Sequence, residues 1–291
     1  MVEQTGTSIL RAEFIDSTVK GFALREVVMK QLVMIDNSNS WKESYFAETA
    51  ADLTAGATTS IRGIPRLAAF PNGDVTWSKK TSYNEKYGFE GTISYEDELT
   101  NAIDVIARSL IRIARAVVRA VDTQIWNILT ESQSAVDINT VVIAAGSEWD
   151  SATIANRDPI QNILNAIKEI QEEDYNPLNG NGFLVLNPKD HANLLGNANV
   201  RNAGQFYTSD VTQNGRVGRL LGLSVLVSNV VTADYAAVII AKECGTWKSV
   251  VPLTTETKIE PGVSKTIRAW EIGVAQLINP KTVTLISNTA A

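Results

Sequence analysis

Side chains that commonly carry out chemistry are scarce in this sequence. It has one histidine, His191, and one cysteine, Cys244. Any Ser-His-Asp or Cys-His arrangement would have to use His191, which stands beside Asp190 in the short helix expected from "NPKDHANLL" (187–195). No Gly-x-Ser-x-Gly elbow occurs. The spacing predicts a solvated helical histidine. A zinc site would need two further carboxylates, and none is spaced for it. Cys244 ends a predicted strand beside Glu243, whose charge opposes thiolate formation. "GRVGRLLG" (215–222) lacks the Gly-Lys-Ser/Thr of a P-loop and precedes a strand instead of following one, so its glycines read as turn residues. Consecutive acids such as Glu172–Glu173 and Asp97–Glu98 diverge on a helix and read as solvated surface. No catalytic residue, metal site or cofactor site is expected.

One cluster of like residues does have a binding geometry. "ARSLIRIARAVVRAV" (107–121) places arginines at 108, 112, 115 and 119. Steps of four, three and four follow one helix face. At roughly 100° per residue the four side chains fall within an arc of about 60°. Such a stripe suits phosphates or carboxylates, in a chain whose net charge is -6.

The elements that must position this stripe can be read outward from it. Ser94 opens "SYEDEL" with Asp97 three residues on, a capping-box pattern, and Glu96 and Glu98 complement the helix dipole. From there to about Thr130 no proline or glycine intervenes. That predicts a helix of roughly 50 Å, with a break near Thr100–Asn101. Ile106, Leu110, Ile113, Val117, Val121 and Leu129 give it a broad apolar surface, so it should be buried except along the arginines. "SKTIRAWEIGVAQLINP" (264–280) predicts a long strand with Ala269, Gly273 and Ala275 on a shallow face that a helix can approach. "KTVTLIS" (281–287) closes the chain.

Ahead of the helix, residues 54–93 predict a long two-stranded excursion. "TTSIRGIPRLAAF" (58–70) leads out, "PNGD" (71–74) turns, and 75–93 leads back with Tyr83, Glu85, Tyr87, Phe89 and Ile93 on one face. An isolated ribbon of this length is marginal in water and should lie against its own domain or a neighbour. "STVKGFALREVVMKQL" (17–32) predicts an amphipathic helix broken by "DNSNS" (36–40), which makes the N-terminal part an arm. Behind the helix comes an α/β module. It has a helix at 158–174 capped by Asp158-Pro159, a strand at 182–186, a helix at 187–195, and strands at 218–229 and 235–243.

Bulk properties fit such a body. The 291 residues include 44% hydrophobic and 20% charged side chains, ordinary for a folded protein. The acidic balance argues against a whole-surface grip on nucleic acid and leaves room for a local basic patch. A lone cysteine excludes an intrachain disulfide and points to a reducing compartment. "MVEQTGTSILRAEF" has no signal-peptide pattern, and no stretch approaches the roughly 18 apolar residues of a membrane span. The expectation is a soluble protein made in the cytoplasm, with no membrane contact.

The order of parts resembles the major capsid proteins of tailed double-stranded-DNA viruses, the Hong Kong ninety-seven capsid fold. The resemblance rests on "IRGIPR" (61–66) with "FEGTISYEDELTNA" (89–102), "RIARAVVRAVDTQIWN" (112–127), "GFLVLNPKDHANLL" (182–195), "GRLLGLSVLVSN" (218–229) and "AWEIGVAQLINPKTVTLI" (269–286). It implies an α+β fold with an N-terminal arm (1–53), an extended β-loop (54–93), a peripheral domain with a long spine helix (94–135 and 247–291) and an axial α/β domain (136–246). It further implies a structural protein, not an enzyme, that assembles into pentamers and hexamers of an icosahedral shell around viral DNA. Localisation would be the virion, after synthesis in the host cytoplasm.

Partners implied are copies of the chain, a portal, a decoration protein, packaged double-stranded DNA, and a separate scaffold protein or none, since only about 90 residues precede the spine helix. Contact candidates between subunits are Arg66, Phe70, Trp77, Lys79 and Lys80, the two lysines through salt bridges. No asparagine lies between Gly245 and Trp270, so the lysine–asparagine cross-link of some relatives is not expected. Arg108, Arg112, Arg115 and Arg119 should face inward, toward DNA or toward arm acids such as Glu13, Asp16 and Glu26. The alternatives are an encapsulin nanocompartment shell around an enzyme cargo, and a soluble α/β enzyme or binding protein with a pocket near Asp190–His191.

Overall fold

The computed structural model describes residues 28–47, 64–69, 78–100, 105–198, 200 and 219–290. From Val28 a short 3-10 turn (Met29–Gln31) leads to β1 (Met34–Asn37) and β2 (Lys42–Ala47). β3 (Ser78–Tyr83) and β4 (Glu85–Ser94) precede α1 (Tyr95–Thr100) and the long α2 (Val105–Leu129). β5 (Asn139–Val142), α3 (Pro159–Glu172), β6 (Gly182–Leu186), α4 (Pro188–Gly196), β7 (Arg219–Leu220), β8 (Leu223–Val227) and β9 (Tyr235–Ile240) come next. The hairpin β10 (Gly245–Glu260) and β11 (Ser264–Leu277) and the last strand β12 (Val283–Ser287) complete the chain.

Three sheets result. A four-stranded sheet runs β1-β10-β11-β4, a six-stranded sheet runs β5-β12-β9-β6-β8-β7, and β2 pairs with β3 alone. α2 lies along β11 and β4. Leu110, Ile113, Ala114, Val117 and Val118 form one core with Ile93, Ile267 and Ala269. The shallow face of β11 is the one that receives the helix, as its small residues predict. A Cβ on Gly273 would stand 2.6 Å from the Lys248 carbonyl oxygen and 2.7 Å from the Trp247 ring, so a side chain there would displace the ring. The second half of α2, through Ile125, Trp126 and Leu129, shares a core with Trp247 and Leu277 of one sheet and Ala237, Ile239 and Leu285 of the other. The spine helix therefore joins the two bodies. α3 packs its Ile163, Ala166, Ile167 and Ile170 on the opposite side of the six-stranded sheet.

The helix starts are those the caps predict. Ser94 Oγ accepts from Asp97 N at 3.1 Å, Asp158 from Gln161 N at 3.1 Å and Asn187 from Lys189 N at 3.0 Å. α1 is described to Thr100 and α2 from Val105, and the expected break near Thr100–Asn101 runs into residues 101–104, which lie outside the described residues.

Four expectations need correction. Residues 218–229 are not one strand: Leu221 and Gly222 both have positive φ, 51° and 83°, and turn β7 back on β8. The described part of the return strand, β3, pairs with β2, Lys42↔Tyr83 to Ala47↔Ser78. Of that outward limb, 64–69 forms a turn in which Ala68 N donates to Pro65 O at 3.1 Å, and 58–63 and 70 lie outside the described residues. The arm boundary at 53 is crossed, because β1 and β2 belong to sheets of the body. Finally, the last strand does not stay with the spine helix. β12 inserts between β5 and β9 of the six-stranded sheet, where Val283, Leu285 and Ile286 are buried. An apolar strand needs two paired edges and two covered faces, and only that sheet offers them.

Candidate functional site

The arginine stripe is a single exposed line. Arg108, Arg112, Arg115 and Arg119 are all exposed on α2, while Leu110, Ile113, Val117 and Val121 on its other side are buried. Eleven residues of α-helix span about 16 Å, so the guanidinium roots recur every 5–6 Å or so. At its C-terminal end the stripe borders a cleft of about 370 Å³ between α2 and the segment after β8, lined by Val28, Arg115, Val118, Arg119, Asp122 and Val227–Val230.

Val28 and Met29 are held beside this cleft by residues the sequence reading passed over. Asp122 is 2% exposed. Its two oxygens accept from Val28 N at 3.2 Å and Met29 N at 3.3 Å. Burial pushes its carboxyl up to about 6, against the opposing pull of the two backbone N–H groups and Lys30. Lys30 Nζ meets Glu271 Oε1 at 2.5 Å and lies 5.4 Å from the Trp247 ring centroid. Trp247 Nε1 donates to the same Glu271 oxygen at 3.2 Å. The backbone N–H groups of Val28 and Met29 and one lysine are thus paired with two buried acids, one from the spine helix and one from β11. Buried acids need such partners. The signal was present: Asp122 is the lone acid on an apolar helix face, and Glu271 shares the shallow strand face with Ala269 and Gly273.

The contact candidates divide. Arg66 is exposed in its turn, and Lys79 is exposed on β3. Phe70 and Trp77 lie outside the described residues. Lys80 is not available in the way expected: its Nζ meets Asp137 Oδ2 of the same chain at 2.8 Å. β3 alternates, so Lys79 and Lys80 point to opposite faces, and Lys80 points at its own body. Gln276 Nε2 donates to Ser82 Oγ on that face at 2.8 Å. These bonds fix the base of the excursion. Glu13, Asp16 and Glu26, the expected partners of the arginines, lie outside the described residues.

The residues with catalytic chemistry do not come together. His191 is half-buried on α4, and burial lowers its pKa. Asp190 turns inward and accepts from Thr289 Oγ1 at 3.0 Å, with its carboxyl pushed up to about 6 by burial. It tethers the C-terminal strand. Cys244 is fully buried, and burial pushes its thiol up to about 12. Among the described residues no group of three or more His, Cys, Asp and Glu could hold a metal ion, and no helix is long and apolar enough to cross a membrane.

A long helix crossing a sheet of extended strands, a two-stranded excursion and a second α/β body together define a shell protein of the Hong Kong ninety-seven type. Solved structures share this fold. The chain superposes on the capsid of Cyanophage P-SCSP1u with a TM-score of 0.66 at 11% identity, over 90% of this chain and 88% of that one. Mycobacterium phage Che8 gives 0.61 at 17% identity, over 91% and 92%. A virus-like particle from Pyrococcus furiosus gives 0.64 at 11% identity, over 96% and 100%. None of the curated proteins matches the chain in sequence. The family described as "Phage capsid protein" matches residues 80–285. The chain belongs to that family, and is a capsid shell protein.

Proposed function

We propose that the chain self-assembles into pentamers and hexamers that close an icosahedral shell around double-stranded DNA. It acts as a structural protein and not as an enzyme, and is made in the host cytoplasm before it enters the virion. The observation that supports this most is the exposed arginine stripe on a helix otherwise buried against its own sheet. Four cations in line on an exposed helix face serve no core and suit carboxylates or phosphates. With the shell closed, the stripe faces inward, toward the acids of the N-terminal arms and the packaged DNA. The extended loop, expected at 54–93, crosses to a neighbour in this reading, with Arg66, Phe70, Trp77 and Lys79 as its contact candidates. A separate scaffold, a portal and a decoration protein complete the particle. The three-part division into a peripheral domain on α2, an axial domain and a loop goes with this reading, with β12 moved to the axial sheet.

The full-length superposition on a virus-like particle supports a second reading, an encapsulin-type shell around an enzyme cargo. Arg112→Ala with Arg115→Ala separates the partners of the stripe. If arm or neighbour carboxylates hold it, empty shells form poorly even without DNA. Normal empty shells with a defect confined to DNA retention place DNA there instead, through contacts that weaken steeply with salt. Shells of normal yield and normal DNA content contradict both.

A further inference from the structure

A buried lysine stands where three elements of the six-stranded body converge. Lys281 lies in the short 3-10 turn Pro280–Thr282 between β11 and β12. Asn139 opens β5, the strand beside β12 in parallel register, Thr284↔Asn139. Glu173 caps the C-terminal end of α3. The turn is held in place: Asn279 Oδ1 accepts from Lys281 N at 3.1 Å, Asn279 Nδ2 donates to Tyr175 Oη at 2.7 Å, and Thr282 Oγ1 donates to Asn279 O at 2.8 Å. The side chain of Lys281 is 10% exposed. Its Nζ donates to Glu173 Oε1 at 2.7 Å and to Asn139 Oδ1 at 3.2 Å. The Asn139 carboxamide is oriented from its other end, where Nδ2 donates to Glu169 O at 3.4 Å.

An ion pair needs only Lys281 and Glu173. The carboxamide adds an electrophilic carbon beside the amine. Glu173 lies within the roughly 2.6–3.2 Å at which a general base takes a proton. The carboxamide carbon is one C=O bond of about 1.23 Å from Oδ1, so Nζ stands no more than about 4.4 Å from it. Attack needs about 3–3.5 Å, a shift that rotation of the lysine side chain supplies with the backbone in place. The burial of Lys281 also keeps water from competing for the carbon.

We propose that Lys281 and Asn139 become joined by an isopeptide bond inside the folded subunit, with Glu173 as the general base. Glu173 takes a proton from the Nζ ammonium. The freed lone pair forms the Nζ–Cγ bond, and the C=O electron pair moves to Oδ1. When that pair returns, the Cγ–Nδ2 bond breaks, and Nδ2 leaves as ammonia with the proton that Glu173 held. The second Nζ proton goes to the ammonia, so an ammonium and a carboxamide become a secondary amide and an ammonium ion. Glu173 ends as it began, and nothing is oxidised or reduced. The bond welds the turn before β12 to β5, the strand at the end of the six-stranded order. The strand that passes from one sheet to the other is then covalently anchored in the second. The site lies within one subunit and joins no two copies, so it does not depend on shell formation.

Mass spectrometry of the purified, denatured full-length chain tests it. The intact mass should fall below the sequence mass by one ammonia. A tryptic digest should show no cleavage after Lys281 and should contain the Asn139 peptide joined to the Lys281 peptide. Lys281→Arg and Asn139→Ala should each keep the full mass. Glu173→Gln should slow the joining at least about 100-fold, followed as the joined fraction against time after synthesis. Circular dichroism checks the fold of each variant, and the peptide map of the unaltered chain decides the bond even where a variant fails to fold. A full-mass chain with a free Lys281 peptide after prolonged incubation at neutral pH overturns the proposal. Loss of ammonia with the two peptides separate overturns it as well, because the loss then comes from another asparagine. Joining at the normal rate in folded Glu173→Gln overturns the role of Glu173.

Discussion

Replacing Asp122 by asparagine should remove a defined part of the pH dependence of stability. The carboxyl is 2% exposed and burial holds it near 6, above its ordinary 3.8. A carboxyl raised on folding binds its proton more tightly in the native state. Its contribution to stability is fully present below about pH 4 and is lost as pH rises through about 6. The full difference corresponds to about 3 kcal/mol, of which about 1.3 kcal/mol falls between pH 5 and pH 7. Asp190 is raised in the same way and the lowered His191 opposes both, so the unaltered protein should lose about 1.3 kcal/mol more stability than Asp122→Asn over that interval. Urea unfolding of unassembled subunits at half-unit steps from pH 5 to 7 measures it, with subunit concentration held fixed. An Asp122→Asn protein with the same slope as the unaltered chain would refute the assignment of a buried, raised carboxyl beneath Val28 and Met29.

Two further outcomes follow from the geometry. Gly273→Ala places a Cβ against the Lys248 carbonyl and the Trp247 ring and should destabilise the subunit by about 1–3 kcal/mol, read as a shift in the denaturation midpoint. Replacing residues 50–75 by a short glycine–serine linker keeps β2 and β3 and should give a folded subunit that forms no shells. Normal particles from that deletion, by size exclusion and microscopy, would remove the loop from the account.

Legibility of the sequence followed local signals. The spine helix could be read because Ser94 caps its entry, no proline or glycine interrupts 94–130, and the arginines repeat at helical spacing. The shallow side of β11 could be read from Ala269, Gly273 and Ala275, and α3 and α4 from Asp158-Pro159 and Asn187-Pro188. β10 was missed because Pro252 and a mixed composition hide it; the structure absorbs the proline where the β10–β11 register shifts around Val251. β1 was hidden by "DNSNS", whose first residues are its end, although Asp36 pairs with Lys248 on the next strand. The partner of β3 and the home of β12 are long-range choices. No local pattern says that Ser78–Tyr83 will find 42–47, or that 283–287 will pass from one sheet to the other. For the site, the stripe was visible as residues but its neighbours were not, since Asp122, Lys30 and Glu271 are far apart in sequence and meet only through the fold. Lys80 was assigned to a neighbour because Asp137, which binds it, is 57 residues away.

The most direct test of the central claim is an electron-microscope image of the purified full-length chain. The account predicts closed icosahedral shells with five- and six-fold clusters of subunits, and nuclease-protected double-stranded DNA inside particles recovered from the host. A uniform small oligomer that forms no closed shell under any assembly condition would contradict it.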